Sequence, residues 1–248
     1  MRVSVSGCGR RGVLHAAYLA AAGHEVVLHD TDPAALDALR TGLNRAAEPR
    51  LHRLLALGLV SGRLRPTTDR TAVAGARVHV LCVGAGPDPD PDGSSRVATL
   101  RDALDDLAPH LGPGDLVVGR ARVPAGTAEW LAAGLVADGV RATVAWVPDE
   151  HRPGRAVVDL LHPPRLVHGV PTGPAGERAA AILDALHAVQ LASGAPRTVT
   201  DLATAEGLGH GVGTPRPTTL GGRGRQGRED ADVASSTPAP ALAAVGAA

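Results

Sequence analysis

The chain has 248 residues, 44% of them hydrophobic, and it is formally neutral, with 25 basic residues against 25 acidic ones. That length and apolar content can bury a core, and the charge balance excludes an electrostatic nucleic-acid binder. Two cysteines, Cys8 and Cys82, make no disulfide framework, and no stretch approaches the eighteen uncharged apolar residues of a membrane helix.

Every basic residue is Arg, and Phe is absent, so the core must be filled by Val, Leu and Ala. The N-terminus enters a strand directly, without a leader pattern, and a cytoplasmic location is expected. Val3 to Ser6 predicts a strand running into Gly7. Arg10 to Ala22 predicts a helix closed by Gly23, and Glu25 to His29 a second strand. Asp32-Pro33 opens a further helix, another spans Leu51 to Leu59, and "SGRLRPTTD" reads as a connector. "ARVHVLCVG" is a third strand, followed by a Pro/Asp/Gly loop and an amphipathic helix from Arg96 to Leu111. Asp102, Asp105 and Asp106 belong to the wet face of that helix.

"GDLVVG" and "ATVAWV" are buried strands separated by a helix from Pro124 to Ala137. "RLVHGV" is a strand, Ala175 to Val189 a helix, and "RTVTD" a last strand leading into "LATAEGL". Alternating strand and helix with short loops predicts an α/β fold, a Rossmann-like doubly wound parallel sheet. The expected organisation is a single domain over residues 1–206 and a flexible Gly/Pro/Ala-rich tail over 207–248, where apolar periodicity fails.

Gly7-Cys8-Gly9-Arg10-Arg11-Gly12 matches G-x-G-x-x-G between a strand and a helix. The first glycine permits the turn, the second admits a pyrophosphate, and the third lets helix pack on strand. The helix N-terminus supplies N–H donors and partial positive charge. Asp30 ends the second strand eighteen residues beyond Gly12, where a carboxylate can accept from both ribose hydroxyls and repel a 2′-phosphate. These residues point to NAD. Arg10 and Arg11 can assist phosphate binding or be solvated helix-start residues.

Beyond the fingerprint, several stretches resemble the NAD-binding half of the UDP-glucose/GDP-mannose dehydrogenase family. They are "GHEVVLHDTDP", "EPRLHRLLALGLVSGRLRPTTD", "LCVGAGP", "RVPAGT", "VAWVPDEHRPGRAVVDLLHPPRLVHGV" and "TDLATAE", in order over residues 1–206. The resemblance implies oxidation of a nucleotide-sugar C6 alcohol to a carboxylate through a cysteine thioester. It also implies cofactor contacts at Val83, Gly84, Ala85 and Arg122, and substrate contacts at Asp149 and Arg152.

The family pattern is not kept throughout. Lysine, serine and threonine positions of the "KSTVPVGT" motif read Arg120, Ala121 and Arg122, and the "CVGTP" threonine reads Ala85. The two glutamates of "NPEFLREG" read Asp149 and Pro153, and the later lysine and asparagine read Gly209 and Gly213. No cysteine stands in the thioester position. The expectation is a UDP-glucose 6-dehydrogenase-like NAD-binding protein, truncated and catalytically impaired, with no catalytic residue assigned. Its implied partners are NAD and either a nucleotide sugar or a separate chain supplying the other half. A non-catalytic dinucleotide-binding or partner-binding domain is the alternative. No histidine pair has metal-ligand spacing, and Asp149-Glu150-His151, a cluster able to hold a metal or act as an acid–base group, reads as a relic of the substrate loop.

Overall fold

A computed structural model describes residues 1–41, 48–82, 94–152 and 154–208. The chain begins with β1 (Arg2–Ser6), α1 (Arg10–Ala21), β2 (Glu25–His29), α2 (Pro33–Arg40) and α3 (Leu51–Val60). It continues through β3 (Leu64–Thr67), β4 (Val78–Leu81), α4 (Ser94–Leu107), β5 (Leu116–Gly119), α5 (Thr127–Ala137) and β6 (Thr143–Trp146). The remainder is α6 (Ala156–Leu161), β7 (Leu166–Gly169), α7 (Pro174–Leu186), α8 (Ala188–Ala192), β8 (Arg197–Thr200) and α9 (Leu202–Leu208). Among the described residues, no helix is long and apolar enough to cross a membrane.

The strands form one eight-stranded sheet in the order β3-β2-β1-β4-β5-β6-β7-β8. Side chains alternate across it with period two. Val3, Val5, Val26, Leu28, Val78 and Val80 face α1, α3, α6 and α7 in one core cluster. Val27, Leu81, Val117, Val144 and Trp146 face α4, α5 and α9 in the other. Helices on both faces make the sheet doubly wound. The order reverses between β1 and β4, and a crevice at such a switch point, beyond the carboxyl ends of the strands, is where ligands bind this architecture.

Several local expectations need correction. The connector "SGRLRPTTD" contains β3, paired with β2 from Val26↔Leu64 to His29↔Thr67. Leu64 and Pro66 are buried and Arg65 is exposed, an alternation that the proline disguises; proline is tolerated because β3 is an edge strand. The sheet is also not wholly parallel, since β7 joins β6 antiparallel through the single pair Trp146↔Gly169. The intervening α6, which the apolar run "AVVDLL" forms, has six residues and rises only about 9 Å.

The helix expected from Arg96 to Leu111 starts at Ser94 and stops at Leu107, where a 3-10 turn over Ala108–His110 takes in Pro109. The helix expected through Val189 ends at Leu186, and His187 separates it from α8. At the far end α9 runs through Gly207 and Leu208. The tail from residue 209 lies outside the described residues.

Candidate functional site

The turn from β1 into α1 lies at the switch point. Gly7 has φ 103°, a left-handed conformation that favours glycine. A Cβ on Gly12 would stand 1.7 Å from the Gly7 carbonyl oxygen, so helix and strand meet only because that side chain is missing. A Cβ on Gly9 would meet nothing within 4 Å, which leaves open space against the backbone there. Gly9 is the N-cap of α1 and makes no side-chain cap, and the first turn holds no acid. The helix therefore offers its partial positive charge and terminal N–H groups to an anion.

Asp30 closes this cradle. One carboxylate oxygen accepts the Cys8 N–H inside the glycine turn, and the other accepts the Asp32 N–H at 2.9 Å. The acid at the end of β2 is thus held beside the cradle, in the place where a ribose would follow a pyrophosphate. Burial, with Asp30 and Asp32 nearby, pushes the Cys8 thiol up to about 11, so it is a neutral thiol at ordinary pH and not a nucleophile. The open space at Gly9, the uncapped helix and the anchored Asp30 fit a dinucleotide.

The two arginines of the fingerprint are paired, and not merely solvated. Arg10 Nη2 donates to Oε1 of Glu48 at 2.7 Å. Glu48 lies immediately before α3, buried, and also accepts the N–H groups of Gly154 at 3.0 Å and Ala156 at 3.1 Å. Arg11 Nε is 3.5 Å from Oδ2 of Asp149. Asp149 is buried at the exit of β6; its Oδ1 accepts from Arg120 Nε at 3.0 Å and lies 2.9 Å from His15 Nε2.

Burial alone would raise the Asp149 carboxyl, but His15 and Arg120 outweigh it and hold the group far below the usual carboxylate range. Burial, reinforced by Arg120, lowers His15 to about 4. At neutral pH the arrangement is an ionised Asp149 accepting from a neutral His15, which assigns the ring proton to Nε2. Atoms of His15, Asp149 and His151 lie within 4.8 Å of one another, a spacing compatible with metal ligation. Arg120 and Arg11 already face the carboxylate, so a cation entering here would meet two guanidinium groups.

Of the residues singled out in the sequence, Gly7, Gly9, Arg10, Arg11, Gly12 and Asp30 come together around one turn, and Asp149 joins them through Arg11. Arg122 is exposed beyond β5, where its carbonyl accepts from Arg96 Nη1. Arg152 is directed to Asp159, with Nη2 and Nε on the two carboxylate oxygens at 2.8 and 3.1 Å. Val83, Gly84 and Ala85, like Pro153, lie outside the described residues. The sequence does not mark His15, Glu48 or Glu206 as site residues, and Arg120 stands out in it only where the family has a lysine. Glu206 on α9 accepts the N–H groups of Gly126 and Ala128, both at 2.6 Å, and so caps α5 from a distant part of the chain. No local signal marks Glu48, because the N–H groups its carboxylate accepts open α6 and not α3, the helix it precedes.

Residues 1–187 match the family model described as "UDP-glucose/GDP-mannose dehydrogenase family, NAD binding domain". The chain belongs to that family. Within the UDP-glucose/GDP-mannose dehydrogenase family it is similar to the UDP-glucose 6-dehydrogenase of Rhizobium meliloti, at 33% identity over 68% of this chain and 39% of that one. It is 34% identical to the GDP-mannose 6-dehydrogenase of Azotobacter vinelandii over 76% of this chain and 45% of that one. The solved UDP-glucose dehydrogenase of Pyrobaculum islandicum superposes with a TM-score of 0.71 at 33% identity, covering 84% of this chain and 48% of its own. The chain spans less than half the length of these family members. The matched region is the family's NAD-binding domain, and it contains the whole glycine cradle and Asp30.

Proposed function

We propose that the chain is the dinucleotide-binding part of a nucleotide-sugar dehydrogenase. It would hold NAD with the pyrophosphate over Gly9 at the start of α1 and a ribose on Asp30. Bound NAD would supply the hydride acceptor for oxidation of a sugar C6 alcohol. The observation that carries this reading is the open backbone at Gly9 beneath an uncapped helix, with Asp30 anchored to the same turn. Asp30 places a carboxylate, anchored by two backbone N–H groups, where a 2′-phosphate would fall, which supports NAD over NADP.

A second reading is that the domain binds the dinucleotide without carrying out the family's full oxidation. It is favoured by the pairing of Arg120 with Asp149. The resemblance puts Asp149 at the substrate, whereas here it is almost wholly buried and faces the likewise buried Arg120. Titration with NAD by calorimetry, followed by assay for NADH with UDP-glucose and GDP-mannose, separates the readings. Binding with turnover supports the first, and binding without turnover the second. Failure of saturating NAD to bind or to raise the melting temperature overturns both.

A further inference from the structure

We propose that Glu48 is a positioning residue that fastens the segment between β6 and α6 to Arg10 and thereby holds the Arg10 guanidinium at the dinucleotide phosphates. The inference rests on the NAD-binding reading above. Glu48 is 1% exposed at its side chain, yet it carries a full carboxylate, and three donors converge on it. Two are backbone N–H groups at the entrance of α6, more than a hundred residues along the chain. The third belongs to Arg10, the first residue of α1, next to the open space at Gly9.

The two interactions differ in kind. The contact with Gly154 and Ala156 is a cap: it satisfies N–H groups that the helix cannot satisfy internally. The contact with Arg10 uses a single nitrogen, and the Arg10 side chain remains 48% exposed. A guanidinium has five N–H donors in a fixed fork, so Glu48 can fix its plane while leaving other donors free for a phosphate. Fixing the side chain before the ligand arrives removes an ordering cost from binding. The same carboxylate then links the cofactor turn to the segment that starts at Asp149, which Arg11 grips independently.

The test is a double-mutant cycle on the full chain with Glu48→Gln, Arg10→Ala and the pair, reading NAD affinity by calorimetry and amide exchange at Gly154 and Ala156. Glu48→Gln and Arg10→Ala should each weaken NAD about tenfold, and the pair little more than either, since coupled contacts are not additive. Arg10→Lys should recover part of the affinity. Exchange at Gly154 and Ala156 should speed at least about tenfold in Glu48→Gln without any cofactor present. Additive losses in the cycle, or NAD affinity unchanged in Glu48→Gln, would overturn the proposal by reducing Glu48 to a cap. If Glu48→Gln does not fold, Arg10→Ala decides: NAD affinity unchanged there overturns it equally. Absence of NAD binding in the unmodified chain would instead remove the reading on which it rests, while the exchange measurement would still report on the clamp.

Discussion

His15 on α1 places Nε2 2.9 Å from Oδ1 of Asp149, a partner 134 residues further along the chain. The pair ties the helix behind the glycine turn to the exit of β6, and Arg120 on the same oxygen completes a buried charge cluster. Removing the carboxylate charge would leave Arg120, nine-tenths buried, without its counter-charge. Asp149→Asn should therefore lower the unfolding free energy by about 3 kcal/mol, measured by urea titration. Combining it with Arg120→Met should cost clearly less than the sum of the single changes, because the pair acts as one unit.

Acid should weaken the fold through its buried histidines. His15 and His168 both lie near 4 in the folded chain, below their ordinary 6.5, with burial as the leading cause in each. For a group depressed in this way the unfolded chain binds protons first, so the stabilisation is complete above about pH 6.5 and is lost as pH falls toward 4. The expected loss is on the order of 3 kcal/mol for each histidine. Thermal melts recorded from pH 7.5 to 4.5 should show a falling midpoint, and a flat profile would contradict the burial of these rings.

Two glycines of one motif should respond differently to the same added methyl group. Gly12→Ala drives a Cβ to within 1.7 Å of the Gly7 carbonyl oxygen and should unfold the turn or displace α1. Gly9→Ala meets open space in a backbone of φ −65°, which alanine adopts freely, so its melting temperature should stay near that of the parent. The methyl group would project where the pyrophosphate comes closest, and NAD affinity should drop at least about tenfold. Circular dichroism and calorimetry on the two variants check both expectations.

Asp30 should govern the choice of dinucleotide. Asp30→Asn removes the charge that opposes a 2′-phosphate and leaves only one oxygen for the two N–H groups it now accepts. NAD should bind about tenfold more weakly and the preference over NADP should shrink. Competition between the two dinucleotides reads this directly, and an unchanged preference would assign discrimination elsewhere.

Much of the fold was legible in the chain because its signals are local. Val3, Val5, Val26 and Leu28 follow the period of a pleated strand, and Asp32-Pro33 starts α2 as its spacing predicts, with Asp32 accepting the Ala34 N–H. β3 escaped notice because Pro66 and two arginines concealed a four-residue alternation that only its neighbour β2 makes a strand. α6 was hidden for a similar reason: six residues between prolines carry too little periodicity to be read. The β6–β7 reversal depends on where α6 delivers the chain, which no short window of sequence contains.

The sequence by itself determined the cradle: three glycines, a strand before them, a helix after them and Asp30 all act on backbone within one βαβ unit, so spacing alone specifies them. It did not determine what Arg10 and Arg11 do. As neighbours in sequence they look alike, but they sit on different sides of α1, and folding presents Glu48 to one and Asp149 to the other. Charge pairing depends on distance through space, and the residues that meet here are separated by 38 positions in one case and 138 in the other. Only the packing of α3 and the β6 exit against α1 brings the two buried carboxylates to the half-exposed guanidinium groups.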